Sequence, residues 1–583
     1  MKKFFLLYLT LFVSSLLFCA SAQDVSPIKV NQVGYYPNGE KIAVIEKVAK
    51  SKKYTLSNMN GKVVWKGKAV RKAVSPWSDK EREIIDFSSV TTPGKYLLSN
   101  GKSVHMIVIK DKALEQLSIA GMKAFYLQRM SIPVLECHAG NYNRPAAHPD
   151  TVVYVHPSAS SADRPAGTVI SSPGGWYDAG DYNKYVVNSS FAVCLMLSAY
   201  EMNKEYFAGM RLNIPESDNA TPDFLDEIMY NISWMQTMQD PADGGVYHKL
   251  TTPNFEGFVM PVDCSQKRYV MKKTTSAALD FAATLAKASR LYGEYEEYKD
   301  FAAVALQQAK AAYRWAVAHP DVFYEQSEIN KLYEPKVNTG TYDDTNFDDE
   351  FFWAATELFF ATNDMSYLQM VQNKMKHSFV VPTWDKVQGL GFYTWIAQSL
   401  VRADMHHGLL LEEIKPLLIS FSDRLLSTVA TSCYNTPYGN VEKDFHWGCL
   451  AESCCGQAIA MLYSYRITGQ EKYLRGAVEN MDYILGRNAT GYCYVTGFGD
   501  MSPMHPHQRL SEADGIVDPQ PGLLVGGPNP GQQDKNPNLT YPSDYADESY
   551  VDDVASYASN EIAINWNASL VALSGWIEAI NGL

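Results

Sequence analysis

The stretch SAALDFAATLAKASRLY, residues 276–292, sets apolar side chains three and four apart and crowds alanine onto one face, the period of a helix packed against other helices. The same texture recurs in LEQLSIAGMKAFYLQRM (114–130), FAVCLMLSAYEMN (191–203), PDFLDEIMYNISWMQTMQ (222–239), FAAVALQQAKAAYRWAVAH (301–319), DDEFFWAATELFFATND (348–364) and ESCCGQAIAMLYSYRITG (452–469). About a dozen such segments run from Leu114 to Gly582. Upstream the period changes: KIAVIEKV, KYTLSN, KVVWKG, KYLLSN and SVHMIVI alternate over short runs separated by Asn-Gly and Pro-Gly turns, which predicts a small all-β sandwich over 24–110. Helices whose sheet lies in a separate module must pack on each other. An α/α barrel or solenoid is therefore expected over 111–583, without a repeat regular enough to mark an array.

The 583 residues are 46% hydrophobic and 20% charged, with a formal charge of -13. That is globular composition for two or more domains, and without a basic run it argues against a nucleic-acid partner. The first 22 residues combine Lys2-Lys3, an apolar run and Ala20-Ser21-Ala22, the anatomy of a signal peptide. An exported protein is expected, periplasmic, cell-surface or secreted, with no later membrane span. A lipoprotein reading at Cys19 is opposed by the bulky Phe18 before it. The eight cysteines after the leader are irregularly spaced, so buried thiols and disulfides both stay open.

Three long loops, 141–181, 240–272 and 490–556, gather His, Asp, Glu, Arg and aromatic residues, and loops of that length are uncommon unless they work. In GGWYDAGDYNKYVVN (174–188), Asp178 and Asp181 stand three apart among glycines. A turn accounts for them, and so does a pair of acids holding something between them. YVTGFGDMSPMHPHQR (494–509) offers His505, His507 and Arg509. A metal there would need further ligands, with Asp500 and Glu512 as the nearby donors, whereas an imidazole and a guanidinium suit sugar hydroxyls. Glu561 opens an apolar C-terminal segment, where a role at a helix start is the ordinary explanation.

Tyr550-x-Asp552-x4-Tyr557-x3-Glu561-x-Ala563-x3-Asn567-Ala568 resembles the C-terminal signature of glycoside hydrolase family 9, the cellulase family with an (α/α)6 barrel. VTGFGDMSPMHPHQR resembles that family's histidine signature and GGWYDAGDYNKY its DAGD segment, in the family's order. IKVNQVGYYPNGEKIAVI (28–45) is similar to the opening of the immunoglobulin-like module that precedes the barrel in one branch, where it packs on the barrel. The resemblance implies an inverting hydrolase of β-linked glucans, cellulose-like, mixed-linkage or xyloglucan, with no organic cofactor. It makes Glu561 the acid and Asp181 the base, with Asp178 also on the water, and Asp552 bracing the histidine loop, with a carboxylate on His507 to fix its tautomer.

Sugar faces stack on aromatic rings, so Trp176, Tyr177, Trp447, Tyr557 and Trp566 become candidates to line the cleft, with Arg509 and His248 as polar partners. YDDTNFDDEFFWAATELF (342–359) resembles a segment that supplies a calcium carboxylate, which implies Asp349 as a ligand; acids at a helix start are the alternative. The family's zinc loop is incomplete here: Met130 replaces one cysteine, Ala147-His148 stands where a Cys-His pair would be needed, and Cys137 and His138 sit elsewhere. WGCLAESCC (447–455) departs from Trp-Gly-Ser-Asn through Cys449 and Leu450, on one wall of the cleft. An endo-acting monomer is expected. An exo-acting enzyme, with 515–544 walling off one end of the cleft, and a catalytically dead glucan-binding protein are the competing readings.

Overall fold

The computed structural model describes residues 26–46, 53–401 and 408–582; the leader lies outside the described residues. Eight short strands build the N-terminal module: β1 Ile28–Lys29, β2 Ile42–Ile45, β3 Tyr54–Asn58, β4 Val63–Gly67, β5 Arg71–Val74, β6 Glu81–Asp86, β7 Gly94–Ser99 and β8 Val104–Ile109. They form two antiparallel sheets, ordered β1-β2-β6-β5 and β4-β3-β7-β8. Side chains alternate across a strand, and β2 uses both faces. Ala43 and Ile45 enter the sandwich core with Leu56, Leu98 and Ile107. Ile42 and Val44 join the core of the helical domain. The IKVNQVGYY segment seals this junction: Asn31 Nδ2 donates to Asp482 Oδ1 at 2.7 Å, Gln32 Nε2 to the Gly491 carbonyl at 2.7 Å, and the Tyr36 hydroxyl to Glu578 at 2.5 Å. The module is thus hydrogen-bonded to the helical domain.

Twelve helices of ten or more residues follow among the described residues. They are α1 Glu115–Leu127, α2 Val186–Met202, α3 Asp223–Thr237, α4 Thr275–Tyr292, α5 Lys299–Ala318, α6 Asp348–Thr362, α7 Met365–Lys374, α8 Gln388–Val401, α9 Gly408–Leu426, α10 Gly456–Thr468, α11 Glu471–Ile484 and α12 Ile564–Asn581. The even-numbered helices touch in a closed ring, α12 against α2, then α4, α6, α8 and α10, and back to α12. The odd-numbered helices alternate with them along the chain, and α5, α7, α9 and α11 pack against their inner partners. This is an (α/α)6 barrel.

Burial separates the two rings. Every residue of α4 except Arg290 is buried, as a helix surrounded by others requires. The neighbouring outer helix α5 buries only Ala305, Ala309, Ala312, Tyr313, Trp315 and Ala316, a stripe of helical spacing that lets it lie close on α4. Thr274 caps α4 by accepting from the Ala277 amide.

Two of the long loops share a sheet. Strands β9 Val153–Val155, β10 Val169–Ile170, β11 Lys184–Tyr185, β12 Lys249–Thr251 and β13 Arg268–Val270 form one sheet in the order β10-β9-β13-β12-β11. It ties the segment after Asp181 to the 240–272 loop. The eight cysteines among the described residues are free thiols, and no helix there is long and apolar enough to cross a membrane.

Candidate active site

Three motifs meet on the backbone of Asp178–Asp181. The Asp178 carbonyl accepts from the Ile564 amide at the start of α12, and the Gly180 carbonyl accepts from the Arg509 amide and from Arg509 Nη1 (2.7 Å). His507 pairs with Glu561 in a parallel bridge, its amide donating to the Asn560 carbonyl at 2.9 Å. Glu561 is therefore extended, φ -71° and ψ 160°, three residues ahead of α12. This corrects the expectation that it opens the helix, so the helix dipole does not account for it.

The carboxylates are held differently. Asp178 is buried, with Oδ1 accepting from Asn188 Nδ2 (2.8 Å) and Oδ2 from the Tyr342 hydroxyl (2.6 Å). Asp181 Oδ2 accepts from Asn183 Nδ2 (2.6 Å) and the Tyr185 hydroxyl (3.2 Å), and among the described residues no donor reaches Oδ1. Burial first, and then the Asp181 charge, raises the pKa of Asp178. Burial, then Asp181, raises Glu561 well above the usual carboxylate range, although Arg509 opposes this. An acid kept protonated beside an open carboxylate oxygen is the arrangement general acid–base chemistry needs.

His507 Nδ1 donates to the Val554 carbonyl at 2.6 Å, which fixes its tautomer and leaves Nε2 as an acceptor. Its pKa is lowered, chiefly by burial. Asp552 does not touch the ring, contrary to expectation. It accepts from the amides of Met504 (2.8 Å) and His505 (2.9 Å) and from Asn560 Nδ2, bracing the loop through its backbone. Arg509 is spent on the Gly180 and Glu256 carbonyls and packs on Phe255 and Phe258.

A cleft of about 450 Å³ opens on Asp178, Asp181 and Glu561, with Trp447 and Trp566 also in its lining. Tyr557 stands 5.3 Å from Trp447, ring to ring. Three candidates lie elsewhere. Trp176 is fully buried, with Nε1 donating to Glu227 and its ring on Phe125. Tyr177 is buried with its hydroxyl at 3.0 Å from His148 Nδ1. His248 is buried and stacked on Tyr324, with Nδ1 at 2.9 Å from Thr274 Oγ1 and Nε2 at 2.8 Å from the Thr341 carbonyl. Burial lowers its pKa to about 3, and it positions the Thr341–Tyr342 turn without reaching the cleft. Tyr342, Trp384, Glu452, Phe255 and Tyr185 also line the cleft and escaped the sequence reading. Tyr342 adopts φ +47°, a conformation worth notice in a bulky residue.

Asp349 sits in the first turn of α6, accepting from the Val387 amide (3.0 Å), with Lys376 Nζ at 3.5 Å. Beside it, Asp280 Oδ1 and Oδ2, Asp344 Oδ2 and Glu350 Oε2 are buried without donors. These hard oxygens suit calcium, although among the described residues no three His, Cys, Asp or Glu side chains stand in a metal-ligating arrangement. At the zinc-loop position, Met130 clusters with Tyr177, Tyr182 and Leu510, and His148 Nδ1 is engaged by Tyr177. That donor set does not fit zinc.

The model of the glycosyl hydrolase family 9 domain matches residues 115–574. The chain belongs to glycosyl hydrolase family 9. The cellulase N-terminal immunoglobulin-like domain matches residues 23–104. Among relatives of this family 9 chain, a xyloglucan-specific endo-β-1,4-glucanase of Bacteroides ovatus is 51% identical over 569 residues, covering 96% of each chain. Endoglucanase D of Acetivibrio thermocellus is 33% identical, over 95% of this chain and 83% of its own. A solved Bacteroides ovatus family 9 structure superposes with a TM-score of 0.91 at 49% identity, covering 95% of this chain and 99% of that one.

Proposed function

We propose that this family 9 protein is an exported monomer that hydrolyses internal β-1,4-glucosidic bonds of xyloglucan-type glucans, with inversion at the anomeric carbon. The carrying observation is the clamping of Asp178–Asp181 between the His507–Arg509 segment and the start of α12, which sets Glu561 beside two aspartates in an aromatic-lined cleft.

Inverting hydrolysis needs an acid on the leaving oxygen and a carboxylate on the far side of the sugar, about 6.5 to 9.5 Å away, with water between. Glu561, protonated through burial, gives its proton to the leaving oxygen. Asp181, through its unengaged Oδ1, takes a proton from the water, while Asp178, held by Tyr342 and Asn188, helps to orient it. His507 Nε2 accepts from a sugar hydroxyl, and Trp447, Tyr557 and Trp566 hold ring faces. Endo action is supported by the Bacteroides ovatus relative, a xyloglucan-specific endo-β-1,4-glucanase. The substrate class rests on the 51% identical Bacteroides ovatus relative. Calcium beside Asp349, with Asp280, Asp344 and Glu350 as its surrounding oxygens, is proposed as a structural ion.

The test is viscometry on xyloglucan together with proton NMR during turnover. Early viscosity loss and the α anomer as first product are expected, and both should vanish in Glu561→Gln. First appearance of the β anomer, or undiminished hydrolysis by the variant, overturns the assignment.

A further inference from the structure

The segment that departs from its family, WGCLAESCC, hides the departure and exposes something else. Cys449 is buried with Sγ at 3.1 Å from the Pro528 carbonyl, and Leu450 is buried against Gly527. Neither lines the cleft. Residues Leu450–Cys455 form a turn of π-helix before α10, an insertion that appears mostly at functional sites, and this turn delivers Glu452 into the cleft beside Trp384, Trp447 and Trp566.

The Glu452 carboxylate is under-used. Oε1 receives one long hydrogen bond, from Trp566 Nε1 at 3.4 Å. Oε2 is 4.0 Å from His446 Nδ1, which gives its proton to the Trp447 carbonyl. Lys386, the nearby cation, is paired with Asp385 at 2.8 Å. A carboxylate offers about four acceptor sites, so most of this one's capacity faces the aromatic wall unclaimed. Flat ring faces together with free acceptors are what a pyranose needs, since its hydroxyls donate around the edge while its face stacks.

We propose that Glu452 is a substrate-positioning residue, accepting hydrogen bonds from two adjacent ring hydroxyls of a glucosyl unit held on the Trp384–Trp447–Trp566 wall. The inference rests on the hydrolase reading above and deepens it. Gripping a vicinal diol leaves O6 free, where xyloglucan carries its branches, so the contact serves branched and unbranched chains alike.

The experiment compares Glu452→Gln and Glu452→Ala with the parent on xyloglucan and on an unbranched mixed-linkage glucan, with thermal melts alongside. Two hydrogen bonds to sugar hydroxyls predict a KM raised roughly ten-fold or more on both polymers, Gln less than Ala, with kcat changed by less than about three-fold. Unchanged KM in folded variants overturns the proposal, as does a kcat loss at constant KM, or a lowered melting temperature as the sole effect. If Ala fails to fold, the near-isosteric Gln variant decides. A parent inactive on every β-glucan sinks the hydrolase reading and this inference together, whereas an active parent matched by both variants sinks this inference alone.

Discussion

A Cβ placed on Gly180 would stand 2.2 Å from the His507 backbone carbonyl and 3.2 Å from Glu561 Oε1. The glycine between the two aspartates is therefore required by close approach of the histidine strand, not by a left-handed backbone. Gly174 and Gly175, at φ +83° and +80°, make the turn. Gly180→Ala must push the His507–Arg509 segment away from Asp181. Displacement of that order costs about a hundred-fold in rate, so kcat should fall at least that far while circular dichroism stays that of the folded protein. Parent-like activity would show that the three-way clamp does not set the catalytic geometry.

Asp178 and Asp181 both raise the pKa of Glu561, and the sign of that coupling is testable. With Glu561 as the proposed acid, activity is lost at high pH as Glu561 gives up its proton. Asp178→Asn removes one negative charge near Glu561, which loses its proton more readily. The alkaline limb of kcat/KM should move toward lower pH, with kcat reduced by about a hundred-fold as water positioning weakens. A limb that stays in place would separate Asp178 from the acid.

Trp176 and Trp447 should behave as opposites. Trp447 is 41% exposed in the cleft, whereas Trp176 is completely enclosed with its indole N–H on Glu227. Trp447→Ala should raise KM by ten-fold or more, through loss of about 1.5 kcal/mol of stacking, with little change in melting temperature. Trp176→Ala should cost about 3–5 kcal/mol of stability, seen as a lower denaturation midpoint, with KM unchanged in the protein that remains folded.

That contrast also marks the limit of what sequence discloses. The helical period located the barrel because alanine stripes such as 305, 309, 312 and 316 are written at fixed spacing, and the acids were legible because Asp178, Asp181 and Glu561 stand in recognisable motifs. Proximity in sequence misled for Trp176 and Tyr177. The two left-handed glycines and the pairing of Trp176 with Arg129 turn both rings inward, away from the aspartates they precede. Tyr342, Trp384 and Glu452 come from ends of other barrel segments, brought to the cleft by ring closure, and no local pattern announces such a meeting.

The N-terminal module should be worth stability and not turnover. Asn31 is buried at the junction, donating to Asp482 and accepting from the amides of Val33 and Gly34 through Oδ1. Asn31→Ala leaves those groups unsatisfied, at about 1–3 kcal/mol. The melting temperature should drop by a few degrees, with kcat and KM on xyloglucan unchanged below the transition. A kinetic defect without destabilisation would instead assign the module a direct part in catalysis.

The acids around Asp349 provide the last test. Asp280 leaves both carboxylate oxygens buried and donorless, and Asp344 and Glu350 each leave one. Burial raises the pKa of Asp280 and Glu350, and the neighbouring carboxylates add to the shift. Such a group costs several kcal/mol to ionise in place without a counter-charge, and a hard divalent cation would relieve several of these oxygens together. A ligand that binds only the folded state at a hundred times its Kd stabilises by about 2.7 kcal/mol. Calcium chloride added to chelator-treated enzyme should therefore raise the melting temperature by several degrees, magnesium less so because it demands stricter geometry, and Asp280→Asn should blunt the response. Identical melting curves with calcium and with chelator would leave these acids as a protonated, metal-free cluster.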